Sequence, residues 1–236
     1  MTDLNDIMHW FPILEETGVP VPKTILINSH IATRDFFSLL DGEVPKGDWN
    51  GFIEYVTHCC DIVGYPAFLR TGHGSGKHGW DRTCLVNKSE VVAERVGNLV
   101  DWSCMVGLPL VNWAVREILP IEPAFHAFSG TPITRERRMF IEDGGVVCNH
   151  PYWPHDSIRR PDKDNWAELL TGLNGITDEH SDLLHDQSAN VSRYFPGAWS
   201  LDWLNATNGW YAIDMATAHS SYHWASCPSA NRWGSP

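Results

Sequence analysis

The spacing of apolar positions divides the chain into a mixed set of helices and strands. Residues 9–27 read as a short helix around Ile13 to Thr17, ended by Gly18, and then a strand from Lys23 to Ile27. Residues 33–41 and 49–63 show helical spacing, through Phe36, Phe37, Leu39 and Leu40 and then Phe52, Ile53, Val56 and Ile62, with a Pro/Gly segment between them. An apolar run from Pro66 to Leu69 ends in Arg70, and a second strand-like run covers Thr83 to Val86. Lys88 to Met105 predicts a helix with Val91, Val92, Val96, Leu99 and Val100 on one face and Ser89 as its N-cap. Val111 to Pro120 predicts a strand, and residues 124–149 a β-meander with turns at Thr131-Pro132 and Asp143-Gly144. A loop over Pro151 to Pro161 leads to a helix, turn and helix over Asn165 to Asp186, with Asp164 as the candidate N-cap. Trp199 to Asp214 gives two strands joined at Asn208-Gly209.

A chain of 236 residues can bury a substantial core, enough for two lobes, which the pattern divides at residues 1–110 and 111–236. With 43% hydrophobic and 19% charged residues it has the balance of a soluble globular protein. The formal net charge of −12 argues against a general nucleic-acid binder, which needs a basic surface, although a local cationic pocket remains open. The first residues lack a basic region followed by an apolar one, and no later window is a long uncharged apolar run, so the expectation is a cytoplasmic protein without a membrane partner. Six cysteines without CxxC spacing are expected to be reduced, mostly buried thiols.

The candidate chemistry is concentrated in Gly64 to Val86, where Gly72, Gly74, Ser75, Gly76 and Gly79 surround Lys77 and follow Arg70. Glycines let backbone N–H groups approach phosphate oxygens, and the two cations neutralise their charge. Thr71 stands where a Walker A loop needs its first glycine, His78 follows the lysine, and a strand-like run follows where a Rossmann turn opens a helix. What survives is a flexible flap between two strands, or an ordinary glycine-rich hairpin loop. Glu117, at a strand end, is either solvated or an acceptor for an adenine amino group, beside backbone groups that can meet the base edge. Glu136, Arg138 and Phe140 share one strand face, so Arg138 either points at anions in a site or forms a surface pair with Glu136. Asp202 and Asp214 stand in neighbouring strands among apolar residues, where two carboxylates need a cation between them, Mg²⁺ being the usual one. A rival reading uses His150, His155, His219, His223 or Cys227 as ligands of a metal hydrolase. His219 and His223 lie four apart, but no Glu follows His219 as HExxH requires.

Taken in order, EETGVPVPKT, PAFLRTGHGSGKHGW, VREILP, ERRMFIEDG and SLDW with WYAIDM resemble the ATP-grasp family over roughly residues 13–216. The resemblance is to its small, phage-type members, related to eukaryotic chaperones that assemble a translation initiation factor. It implies an α+β fold of two lobes clamping ATP between antiparallel sheets, with cations on one wall and acidic side chains on the other. It further implies that the extra N-terminal substrate domain is absent or much reduced. By the same resemblance, Arg70, Gly74, Ser75, Gly76 and Lys77 bind phosphates, Glu117, Ile118 and Leu119 form the adenine hinge, Lys77 and Arg138 are catalytic, and Asp202 and Asp214 hold Mg²⁺. Ala216 departs from the pattern, in which an Asn often follows the metal carboxylate by two positions, and His219 or Ser220 is the candidate compensation. The implied activity is an ATP- and Mg²⁺-dependent ligase joining small-molecule or peptide carboxylates to amines through an acyl phosphate. The alternative is an ATP-gated assembly module without ligase chemistry. If the chain is phage-encoded, its place is the host cytoplasm.

Overall fold

The structure, a computed structural model, describes residues 3–233. Strands β1 (Thr24–Asn28), β2 (Ala67–Thr71), β3 (Leu85–Val86) and β4 (Asn112–Glu117) form one antiparallel sheet in the order β1-β4-β2-β3. Alternation along β2 and β4 sorts their side chains between two faces. Ala67, Leu69, Trp113 and Val115 enter a core with the helices spanning Trp49–Val63 and Val92–Val106. Phe68, Arg70 and Arg116 face the opposite way, into a cavity. The expected boundary at residue 110 falls just before β4, which lies between β1 and β2.

The rest of the framework begins with helix α1 (Ile7–Glu16); α2 and α3 are the helices at Trp49–Val63 and Val92–Val106, and α4 (Trp166–Asn174) and α5 (Asp178–Ser192) follow. Strands β5 (Phe125–Ala127) and β6 (Thr131–Ile133) pair as a small hairpin whose core includes Leu170 of α4. A second antiparallel sheet, in the order β10-β9-β7-β8, is built from β7 (Glu136–Glu142), β8 (Gly145–Pro151), β9 (Ala198–Ala206) and β10 (Gly209–Thr217). Met139, Ile141, Leu201 and Trp203 bury one face of it against α1 and α5. Helix α1 supplies Ile7, Trp10, Phe11 and Leu14, spaced i, i+3, i+4, i+7, each fully or almost fully buried. Burial of that kind contributes roughly 1.5–3 kcal/mol per side chain. The architecture is α+β, with two antiparallel sheets turned toward a shared cavity.

Several boundaries differ from the sequence expectation for identifiable reasons. Helix α1 begins at Ile7, well before the expected Ile13, and runs through Pro12; Asp6 starts it by accepting the Met8 N–H at 2.9 Å. Residues Thr33–Asp41 wind as a 3₁₀ helix ended by Gly42 at φ 76°. Ser89 lies in a 3₁₀ turn before α3 and donates no cap, and Asn165 instead of Asp164 precedes α4. Thr131-Pro132 belongs to β6, and its turn lies at Phe128 to Gly130. The β9–β10 turn is Thr207-Asn208, one residue earlier than expected, while Asp143 (φ 48°) and Gly144 (φ 85°) make the predicted hairpin turn. All six cysteines are free, but Cys104, Cys148 and Cys227 are only half-buried.

Asp6 joins the two halves of this framework. It caps α1, and its other oxygen accepts the Asn112 side-chain N–H of β4 at 2.7 Å. Asp6→Ala should therefore lower unfolding free energy by roughly 1–3 kcal/mol. A urea titration checks it, and an unchanged midpoint would show that α1 is anchored by its apolar face alone.

Candidate functional site

The inner faces of the two sheets enclose a cavity of about 310 Å³. Its apolar lining includes Phe68 and Trp80, whose rings lie 5.6 Å apart, with Leu204, Ile213 and residues 118–119. Charged groups also meet there in pairs. Arg70 Nη1 lies 2.8 Å from Asp214 Oδ1 across the gap between the sheets. Arg138 grips Asp202 bidentately, with Nε and Nη2 each at 2.7 Å from a carboxylate oxygen. Lys77 Nζ lies 3.6 Å from Glu136 Oε2 and 4.0 Å from the centre of the Tyr152 ring. Burial opposes charge on Lys77 and Arg138, yet Glu136, Tyr152 and Asp202 around the first, and Asp202 with Tyr152 and Asp214 around the second, together outweigh it and raise both pKa values.

Arg116 is the exception to this pairing. Its Nε donates to the Thr24 hydroxyl and its Nη1 to the Ile213 carbonyl, but the buried Nη2 has no partner among the described residues. Burial and the neighbouring Arg70 depress its pKa to about 9, against the pull of Asp214 and Glu117. A buried, incompletely bonded guanidinium at a cavity wall is a site waiting for an acceptor.

The position of Asp214 depends on a β-bulge. Trp210 and Ala212 of β10 point into the α1/α5 core, and strict alternation would send residue 214 there too. The register instead shifts between Ala212 and Asp214, so that Ala212 faces Trp203 and Asp214 faces Asp202. One inserted residue thereby turns Asp214 into the cavity and returns Met215 to the core. Without it, a carboxylate would enter an apolar core.

The glycine-rich loop is docked, not free. A Cβ on Gly74 would stand 2.6 Å from Trp102 Cη2, and one on Gly72 would stand 2.8 Å from Asp6, so these glycines serve close packing within the protein. On the other side, Thr131 donates its hydroxyl to the Lys77 carbonyl at 2.6 Å, and His78 stacks on Phe128 at 4.0 Å. The loop thus bridges the first sheet to the β5–β6 hairpin and closes the cavity.

No protein-family model matches the chain, and no curated protein matches its sequence. Its shape does match solved structures. Cdc123 of Schizosaccharomyces pombe, C-terminally truncated, aligns over 90% of this chain and 82% of its own with a TM-score of 0.56 at 10% identity. N5-carboxyaminoimidazole ribonucleotide synthetase, solved as an ADP complex, aligns over 97% and 49% with a TM-score of 0.56 at 14% identity. D-alanine–D-alanine ligase of Bacillus anthracis, complexed with ATP, aligns over 90% and 54% with a TM-score of 0.50 at 11% identity. This chain has the ATP-grasp fold. It spans about half the length of the two enzymes.

Arg70, Gly74, Ser75, Gly76, Lys77, Glu117, Ile118, Leu119, Asp202 and Asp214 all border the ATP-grasp cavity. Arg138 stands behind Asp202, so its pairing with Glu136 does not occur. Arg70, Lys77 and Arg116 come from the first sheet and its loop while Glu136, Asp202 and Asp214 come from the second sheet, so cations face acids across the cavity, with Arg138 standing on the acidic side. Glu117 Oε1 accepts the Lys23 N–H at 2.7 Å, which ties its carboxylate to the segment before β1. His219 and Ser220 lie off the cavity wall, and Ser220 bonds Thr217 and Asn5 instead. Sequence reasoning passed over Arg116, which strand alternation from Trp113 and Val115 would have placed on the cavity face. It also passed over Tyr152 and Trp153, whose rings hold Lys77.

The Arg70–Asp214 contact sets an acid limb for stability. Burial raises the Asp214 pKa, but Arg70 outweighs it and holds the carboxyl below its ordinary 3.8. Its stabilisation is therefore present above that value and lost as pH falls through the depressed one. Between about pH 4 and pH 2 the unfolding free energy of the wild type should fall more steeply than that of Asp214→Asn. Parallel curves in denaturant titrations would show that the pair carries no net proton linkage.

Proposed function

We propose that the protein is an ATP- and Mg²⁺-dependent ligase that joins a small-molecule or peptide carboxylate to an amine through an acyl phosphate. The observation that carries this reading is the unsatisfied, depressed guanidinium of Arg116 beside Arg70 and Lys77 in one cavity. An anionic phosphate chain would complete that hydrogen-bond set and relieve the repulsion between Arg70 and Arg116. The apolar lining from Phe68 and Trp80, with residues 117–119 beside it, suits a flat base.

The donor set also fits a hard cation. Asp214 is 44% exposed at its side chain, and its Oδ1 takes the Arg70 contact while Oδ2 stays open toward the cavity. Asp202 fits only when Arg138 loosens, since both its oxygens are engaged. Magnesium bound there supplies charge neutralisation for the phosphates. The chain's own groups do the rest by position and charge. A substrate carboxylate oxygen attacks the terminal phosphorus and the bond to the bridging oxygen breaks, releasing ADP. Lys77 remains an ammonium throughout, because Glu136 raises its pKa, and it offsets charge on the transferring group. The amine then adds to the acyl carbon, phosphate leaves with the bonding pair, and the amine proton passes to solvent.

A second reading is favoured by two observations. Asp202 is fully occupied by Arg138, and Ala216 offers no ligand where an Asn is common. An ATP-gated assembly module needs binding without turnover, and the likeness to Cdc123 fits it as well as the likeness to the enzymes fits a ligase. Incubation with ATP, Mg²⁺ and pooled amino acids separates the two. Substrate-stimulated ADP release is expected for the ligase, and stoichiometric binding without ADP release would move the assignment to the module. Lys77→Ala and Asp214→Ala should each reduce ATP turnover by about 100-fold or more with far-UV dichroism unchanged. Full turnover in both refutes the ligase assignment to these residues, and undiminished ATP binding in both refutes the module.

A further inference from the structure

The C-terminal segment after β10 has little regular structure of its own among the described residues, ending in turns over residues 221–233. It lies on the cavity-side face of β7 and β8. Phe140 stacks on Trp233 at 5.2 Å and meets His223 at 4.2 Å, while His150 stacks on Trp224 at 5.6 Å. Within this aromatic shell, Cys148 of β8 meets His223 and Cys227 of the segment. Their ligand atoms all lie within 4.8 Å of one another, and Cys148 Sγ is 3.2 Å from His223 Nε2.

Two further details point to a ligand. The Nδ1 of His223 faces the Trp224 carbonyl at 3.4 Å, an arrangement that keeps its proton on Nδ1 and its lone pair on Nε2, toward the sulfurs. His150 repeats the arrangement, with Nδ1 at 2.9 Å from the Pro151 carbonyl. It is 6% exposed, its ring centre is 5.2 Å from that of His223, and its Nε2 has no partner among the described residues. A buried imidazole lone pair without a donor is costly unless something fills it.

We propose that Cys148, His223 and Cys227 bind a zinc ion that fastens the C-terminal segment to the second sheet, and that His150, which lies outside this group of three, moves in as fourth ligand. Two sulfurs and an imidazole already favour a tetrahedral, borderline-soft divalent ion, and once His150 closes the set no position is left for a reacting water. On binding, the two thiols release their protons to solvent and the two imidazoles donate Nε2 lone pairs. The site is structural, in contrast to the hydrolase considered from sequence, and His155 and His219 take no part in it. Its consequence reaches the cavity, because the Tyr222 carbonyl, next to His223, accepts from Arg138 Nη1 at 3.2 Å. The proposal does not depend on the nucleotide reading.

The full chain, expressed with added zinc and purified under reductant without chelator, should carry about one equivalent of zinc by plasma mass spectrometry. The cobalt-loaded protein should show thiolate-to-metal charge-transfer bands and the d–d intensity of a tetrahedral centre. Cys148→Ser with Cys227→Ser, and separately His223→Ala, should lose the metal. In the wild type, chelation should speed hydrogen exchange over residues 221–233 while α1 and α5 stay protected. His150→Ala should weaken zinc affinity about 10–100-fold, and unchanged affinity removes His150 from the set. Substoichiometric zinc in the wild type, a cobalt spectrum without the thiolate band, or variants that keep the metal would overturn the proposal. So would an isolated chain lighter by two hydrogens, which marks a Cys148–Cys227 disulfide instead.

Discussion

Charge pairing across the gap between the sheets is the constraint on which the rest of the structure depends. Taking a guanidinium or carboxylate out of water costs several kcal/mol per ion, so a buried cation persists only with a well-placed partner. Arg70 lies in the first sheet and Asp214 in the second, and Lys77 lies in the loop between β2 and β3 while Glu136 opens β7. The pairs that neutralise the cavity are therefore also ties between the two halves of the molecule. The Arg138–Asp202 pair connects adjacent strands of one sheet, in register, and keeps that wall rigid. Rigidity here comes from electrostatic necessity as well as from packing.

The backbone supports this pairing through small irregularities. The bulge at Ile213 exchanges the faces of β10 halfway along, so that one strand serves the α1/α5 core at its start and the cavity at Asp214. Gly74 allows the loop to lie against Trp102, which places Lys77 within reach of both Glu136 and the Tyr152 and Trp153 rings. Neither device adds a charged group. Each places one that the sequence already carries.

Much of this was legible in the residues, and the rest was hidden for physical reasons. The alternation in β7 put Glu136 and Arg138 on one face, and that much the structure shows. Which acid each cation would take depends on β9 lying beside β7, a pairing between residues more than 60 apart that local periodicity does not encode. The facing of Asp202 and Asp214 was expected from simple antiparallel pairing, yet it exists only because of a bulge that no residue type announces. The sequence reading placed only Ile13 to Thr17 in a helix, whereas α1 starts at Ile7 and is held by the burial of Ile7, Trp10, Phe11 and Leu14, a tertiary contribution. His223 and Cys227 were among the candidate metal ligands in the sequence, but Cys148 was not, because it comes from a strand some 75 residues away without the short spacing that marks metal motifs.

The balance of charge in the cavity bears on how the proposed nucleotide site would fill. Arg70, Lys77 and Arg116, with Arg138 behind Asp202, are matched by Glu117, Glu136, Asp202 and Asp214, so the protein alone is close to neutral at and just behind the cavity wall. A bare triphosphate would meet cations already satisfied by carboxylates and would compete with Asp214 and Glu136 for them. A divalent ion arriving with the phosphates changes the exchange, because it can take the carboxylate oxygens that the arginines release while the arginines turn to phosphate oxygens. Arg116 breaks the symmetry of this exchange. Its Nη2 has nothing to release among the described residues, so an anion gains there without displacing an existing pair. In that reading Arg116 supplies the first foothold, and the three paired cations supply a second stage of binding in which metal and phosphate enter together.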